Sequence, residues 1–178
     1  RDWRGHKVER FERNAREVTD LSLEWLKENE EQKFFIWIHY FDPHQPYSPP
    51  REYRNPGSQF EYQAYDGEIK FVDDQLGRIL DFLESSRRLD DTLIVIVSDH
   101  GEVLGDYRDL IGGQFYNNHG ISVNEAELRV ALIMMKKGEL PESKTISEMV
   151  SLSDVTPTIL DFIGLKAEGG FDGKSLLP

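Results

Sequence analysis

The chain contains no cysteine. A disulfide framework is therefore excluded, and cysteine usage says nothing about the redox compartment. No apolar run approaches the length that spans a bilayer, and no signal peptide is visible. The first residue is Arg1 rather than methionine, so the 178 residues read as a segment of something longer, and the compartment stays open. Positive charge is scarce. Lys and Arg number 21 against 33 Asp and Glu, a formal charge of -12, which argues against general nucleic-acid binding because that requires a basic footprint. An anionic substrate is not excluded, since a bound metal and a few local cations outweigh the global sign. There is also no glycine-rich phosphate loop and no serine on a strand-turn-helix elbow, so no nucleophile is obvious.

What remains is the composition of a folded domain. The apolar share of 38% and aromatic share of 11% suit a packed core rather than disorder, and the length suits one α/β domain over 1–178. Residues 1 to about 28 carry a helical stripe: Val8, Phe11, Ala15, Val18, Leu21 and Trp25. Arg1, Arg4, Lys7, Arg10, Arg13 and Arg16 recur every third position, which drifts around a helix and makes no compact basic patch. His6 falls on this helix and reads as solvent-exposed. Phe34–Tyr40 is a strongly apolar run predicted to be a buried strand, and the prolines at 43, 46, 49 and 50 then stiffen an extended loop. Tyr65, Ile69, Val72, Leu76, Ile79, Leu80 and Leu83 predict a helix over about 63–86. Leu93–Val97 reads as a strand buried on both faces.

Strand, loop, helix, strand is a βαβ unit. The expected fold is accordingly α/β, with a largely parallel sheet flanked by helices. Residues 101–122 read as irregular, Leu128–Met135 as a further strand and Met149–Leu152 as a short one. A capped helix begins at Ser153 or Asp154 and ends before Gly164, and a glycine-rich tail follows.

The chemistry concentrates at strand ends. Asp99 and His100 stand where the Leu93–Val97 run stops, and Gly101 lets the backbone turn away. A carboxylate and an imidazole are sound ligands for a divalent cation, and ligands gather at the carboxyl ends of strands in open α/β sheets. A buried salt bridge or a capping aspartate is the alternative reading of this pair. His44, on the proline-stiffened loop, could bind an anion or donate a proton; a surface histidine bonded to its own loop is the plainer alternative. His119, between Asn118 and Gly120, has a similar setting. His39 lies inside the predicted strand and reads as a packed core residue.

Six segments in unbroken order carry a resemblance: FFIWIHYFDPHQPYSPP, YDGEIKFVDDQLGRIL, LIVIVSDHGE, NNHGISVNEAELRVALI, SLSDVTPTILDFIG and FDGKSLLP. Together they resemble the later part of the catalytic domain of the sulfatase family, within the alkaline-phosphatase-like superfamily, over residues 20–178. The resemblance implies that Asp99 and His100 are metal ligands, the latter at a position where many relatives have asparagine. It implies a divalent metal, most often calcium. It implies that His44 and His119 contact the sulfate group or assist the leaving oxygen, and that Glu125 and Arg129 form a structural charged pair. Ala131 stands where relatives often have proline.

The nucleophile of the family is a formylglycine made from a Cys/Ser-x-Pro-x-Arg motif. That motif and two further metal-binding aspartates lie upstream in relatives and are absent from this sequence. The substrate expected for the parent is a sulfate ester, either a small molecule or a sulfated glycan. The 178-residue chain alone is expected to be inactive, to bind metal weakly and to self-associate through open sheet edges. A phosphate-ester or phosphonate hydrolase of the same superfamily, and a non-catalytic binding domain, are the alternatives.

Overall fold

A computed structural model describes residues 12–54, 60–108, 115–120, 123–166 and 170–177. The basic residues before Phe11, and His6, lie outside these.

The first described helix, α1, spans Ala15–Glu28. Its start is set by Asn14, whose side chain accepts from the Glu17 backbone N–H while the Glu17 carboxylate accepts from Asn14, a reciprocal cap. The buried residues are Ala15, Thr19 and Leu26, whereas Leu21 and Trp25 are exposed. The expected stripe thus misplaces the inner face: steps of three rotate away from it, and the four-residue step from 15 to 19 holds it. Helix α2 spans Phe60–Ser85, close to expectation, and buries Phe71, Gln75, Ile79 and Leu83. It ends at Arg87, which adopts a left-handed conformation. Arg88 then reaches back to the carbonyls of Asn29 and Gln32 and lies over the Phe34 ring, tying the ends of the two helices together.

Leu26, Ile79 and Leu83 form the centre of the core, and Phe34, Ile36, Ile38 and Ile94 pack against it. Along 34–40 burial alternates strictly, as in a strand with one covered face. Phe35 and Trp37, on the other face, are 75% and 79% exposed. The expected buried strand is therefore an extended segment covered on one side, with no ladder partner among the described residues. His39 belongs to its exposed set and is not a core residue.

Strand β1 (Ile94–Val97) lies where expected but is not buried on both faces: Ile94, Val95 and Ile96 are half-buried and Val97 is exposed, since among the described residues the helical core meets it only through Ile94. The next stretch corrects the expectation of an irregular region. Val103–Arg108 (β2) and Phe115–Asn118 (β3) form an antiparallel hairpin, with Val103 opposite Asn118. The expected strand from Leu128 also shortens. Glu125–Leu128 is a single helical turn, α3, capped by Asn124, and only Leu132–Met135 (β4) is extended. Strand β4 pairs antiparallel with β1, with Ile94 opposite Met135. Both described ladders are antiparallel, so the predicted parallel sheet is not seen. The physical reason is that the helix-linked pair of extended segments, 34–40 and β1, shares a core without sharing hydrogen bonds, while β1 finds its partner downstream.

The expected strand over Met149–Leu152 is absent: Met149 is fully exposed, and Leu152–Asp154 is a short 3-10 turn capped by Ser151. Helix α4 (Val155–Phe162) continues from it and closes at Gly164 with φ of +72°. Asp154 is buried there, accepting from the backbone N–H groups of Ser151 and Lys174. These bonds hold its carboxyl below the usual range and fasten the tail. No described helix is long and apolar enough to cross a membrane.

Candidate functional site

The end of β1 carries Ser98, Asp99, His100, Gly101 and Glu102. The turn is held by its neighbours rather than by glycine flexibility. Ser98 N–H donates to the Ala131 carbonyl at 3.2 Å, and Gly101 N–H donates to the Glu127 carbonyl at 2.8 Å. Gly101 does not adopt a left-handed conformation. A Cβ there would stand 1.9 Å from the Ala126 carbonyl oxygen, so the glycine is required for space.

Asp99 is 80% exposed at its side chain, and its Oδ1 accepts from the His100 N–H at 3.0 Å. His100 Nδ1 lies 2.7 Å from the Gly101 carbonyl oxygen. A carbonyl only accepts, so Nδ1 carries a hydrogen and Nε2 is the nitrogen turned to the open side. Nε2 sits 3.7 Å from Asp99 Oδ1. An oriented imidazole beside an open carboxylate is a donor set that fits half of a divalent-cation site. Among the described residues no group of three or more such ligands converges, so the pair alone does not close a site.

His44 follows the same rule. Its Nδ1 is 2.7 Å from the Gln45 carbonyl oxygen, and its ring stacks on Phe41 at 4.4 Å. The Asp42–Pro43 and Gln45–Pro46 bonds on either side are cis. Glu68, on α2, is buried and accepts from Ser48 N–H at 2.6 Å, which docks this loop onto the helix. Burial pushes the Glu68 carboxyl up to about 7, against the lowering effect of the Ser48 bond.

His119 completes the cluster. Its ring stacks on His100 at 3.8 Å and meets His44 edge-on at 5.6 Å. Its Nδ1 is 3.1 Å from Oε2 of Glu102, whose side chain is 5% exposed. Tyr47, from the proline loop, faces the same carboxylate. Burial, and then the Glu102 charge, push its phenol well up.

The fold thus brings Asp99, His100, His44 and His119 into one patch, although they come from three separate loops. Glu125 and Arg129 form an exposed ion pair at 3.5 Å. Sequence reasoning missed Glu102, Tyr47 and Glu68. Nothing in their spacing marks them, because their significance is burial. It also missed Glu127, whose carboxylate accepts from Gly120 N–H at 2.6 Å and so holds the residue after His119. The Asn124-x-x-Glu127 cap was the available signal.

A family model described as Sulfatase matches residues 5–165. A multifunctional alkaline phosphatase superfamily protein, PehA of Trinickia caryophylli, is 40% identical over 116 residues, which cover 65% of this chain and 21% of that protein. An arylsulfatase of Clostridium perfringens is 26% identical over 200 aligned residues, covering 89% of this chain and 40% of that one. Among solved structures, Ps i-CgsB in complex with k-i-k-neocarrahexaose superposes with a TM-score of 0.74 at 23% identity, over 91% of this chain and 37% of that chain. The phosphonate monoester hydrolase SpPMH of Silicibacter pomeroyi gives 0.73 at 24%, over 92% and 41%. The chain therefore spans between a fifth and two fifths of these relatives.

Proposed function

The chain belongs to the sulfatase family, and from that premise we propose that the protein carrying it hydrolyses sulfate esters, with this segment supplying two metal ligands and two anion-contacting histidines. The observation that supports it most is the common anchoring of three imidazoles. His44, His100 and His119 each place Nδ1 on a fixed acceptor.

Asp99 and His100 would hold a divalent cation, calcium being the family's usual choice. Such a cation, when bound, supplies charge neutralisation at the ester oxygens. His44 and His119, each carrying a second hydrogen on Nε2 as an imidazolium, donate to the sulfate oxygens, where fixed hydrogen-bond donors stabilise developing negative charge. When the S–O ester bond breaks, its electron pair goes to the departing alcohol oxygen, and one of the two histidines delivers a proton there. The nucleophile, an upstream formylglycine, is not encoded in this chain, so the 178 residues alone are inactive. Sulfated small molecules or glycans are the substrate class.

A second reading has the same site acting on phosphorus esters, which present similar tetrahedral anions. The 40% identity to a multifunctional superfamily member supports keeping it. Assaying the full-length protein on 4-nitrophenyl sulfate, 4-nitrophenyl phosphate and a phenylphosphonate monoester separates the two. Sulfate turnover that falls at least 100-fold in Asp99→Ala, ~3 kcal/mol of transition-state stabilisation, is expected. Turnover of phosphorus esters alone rejects the first reading.

Self-association of the isolated chain is proposed through its open strand edges. A clean monomer by light scattering at high concentration refutes it.

A further inference from the structure

Glu102 is a buried carboxylate that the family reading leaves without a role. Burying an ionisable group is costly unless its oxygens are matched. One of them is matched to His119 Nδ1 at 3.1 Å. The other, Oε1, is buried without a hydrogen-bond partner among the described residues, as is the Tyr47 hydroxyl, on which the Glu102 charge acts. Tyr47 is itself braced edge-on against Tyr65 of α2, at 5.4 Å. The carboxylate thus stands between the proline loop that carries His44 and the ring of His119.

Two constraints then fix that ring. The stack on His100, at 3.8 Å and 29° between planes, sets the plane of the imidazole. The bond to Glu102 sets its rotation within that plane. Because a carboxylate accepts, Nδ1 carries a hydrogen and Nε2 is the nitrogen turned away from Glu102.

A plainer account is available. Glu102 precedes β2 and His119 follows β3, so the pair also closes the open end of the hairpin beyond Val103 and Asn118. A clamp of that kind would not need a carboxylate sealed to 5% exposure, nor a second oxygen aimed at the loop of His44.

We propose that Glu102 is a positioning residue: it holds His119 in the one ring orientation that presents Nε2 to the ester oxygens. The proposal rests on the hydrolytic reading above. Its test uses the full-length protein with Glu102→Ala, Glu102→Gln, His119→Ala and the Glu102→Ala/His119→Ala double variant. Glu102→Ala lowers kcat by about 10- to 100-fold with KM changed less than threefold, and Glu102→Gln, which keeps an accepting oxygen, recovers most of it. The double variant is no slower than His119→Ala, since both act through one imidazole. In [15N]histidine-labelled protein, the hydrogen-bonded Nδ1–H resonance of His119 disappears in Glu102→Ala and persists in Glu102→Gln.

Additive losses, a loss confined to KM, or an unchanged Nδ1–H resonance overturns the proposal and leaves a hairpin clamp. Should Glu102→Ala not fold, the resonance and kcat of Glu102→Gln and Tyr47→Phe decide it. A wild-type protein that turns over no ester but keeps the resonance pattern defeats the functional reading and leaves the orientation of the ring standing.

Discussion

Replacing Gly101 by alanine tests how the strand end is built. An ideal Cβ at that position meets the Ala126 carbonyl oxygen at 1.9 Å, the Ala126 carbonyl carbon at 3.0 Å and the Arg129 carbonyl oxygen at 2.9 Å. All three atoms are backbone, so no rotamer relieves the clash. An ordinary carbon–oxygen contact is about 3.3 Å or longer, so the Ala126 carbonyl must retreat by more than ~1 Å. The surrounding segment resists this. Gly101 N–H donates to the Glu127 carbonyl at 2.8 Å, and Ala131 N–H donates to Ser98 Oγ at 3.1 Å. Asn124 caps α3 through the Glu127 N–H at 3.1 Å. Overpacking of this kind costs about 1–3 kcal/mol, and loss of the Gly101 hydrogen bond adds about 1 kcal/mol. The expected destabilisation is ~2–4 kcal/mol, or a Tm about 5–12 °C lower for a chain of this size. Asp99, His100 and Glu102 flank the displaced residue. A shift on the order of 1 Å there is expected to reduce turnover of the full-length protein by about 100-fold. Thermal unfolding and ester hydrolysis measure the two effects. A variant with unchanged Tm and activity would refute the claim that close backbone approach, rather than turning, is what this glycine supplies.

Glu68 predicts a pH effect. Its folded carboxyl is raised to about 7 from an ordinary 4.5, so between those values the folded state holds a proton that the unfolded chain has released. Stability therefore falls as pH rises through that window, by on the order of 2 kcal/mol. Glu68→Gln removes the slope while leaving an oxygen for the Ser48 N–H, and urea unfolding at pH 5 and pH 8 should show wild type and variant diverging. Parallel behaviour at both pH values sinks this assignment. Leu83, 2% exposed at the centre of the core between the helices, predicts a loss of about 2–5 kcal/mol on Leu83→Ala, read from the denaturant midpoint. A loss below ~1 kcal/mol would mean the core does not lie where α1, α2 and the 34–40 segment meet.

Local patterns were legible along the chain because their cause is local. The stripe from Tyr65 to Leu83 is enough to give the extent of α2, although of its members only Ile79 and Leu83 are buried, while Phe71 and Gln75 share that inner face and Ile69 is exposed. The β-branched run before Asp99 is enough to make β1, and Gly164 is enough to stop α4. His44, His100 and His119 could be named as candidates because imidazoles beside prolines, glycines and strand ends have few plain uses. Pairing was not legible. Only contact across the chain decides that β1 takes β4 antiparallel, that 34–40 stays extended with one bare face, or that the glycine-rich stretch after Glu102 folds into a hairpin. Burial of a polar group is likewise a property of what surrounds it. The sequence by itself therefore determined the three longer helices, the strand that ends in Asp99 and the set of candidate histidines. The tertiary structure alone decided that three of those histidines share one patch, each held by its Nδ1. It alone buried the carboxylates of Glu102 and Glu68, because hydrogen-bond partners and exclusion from water are set by residues distant in sequence.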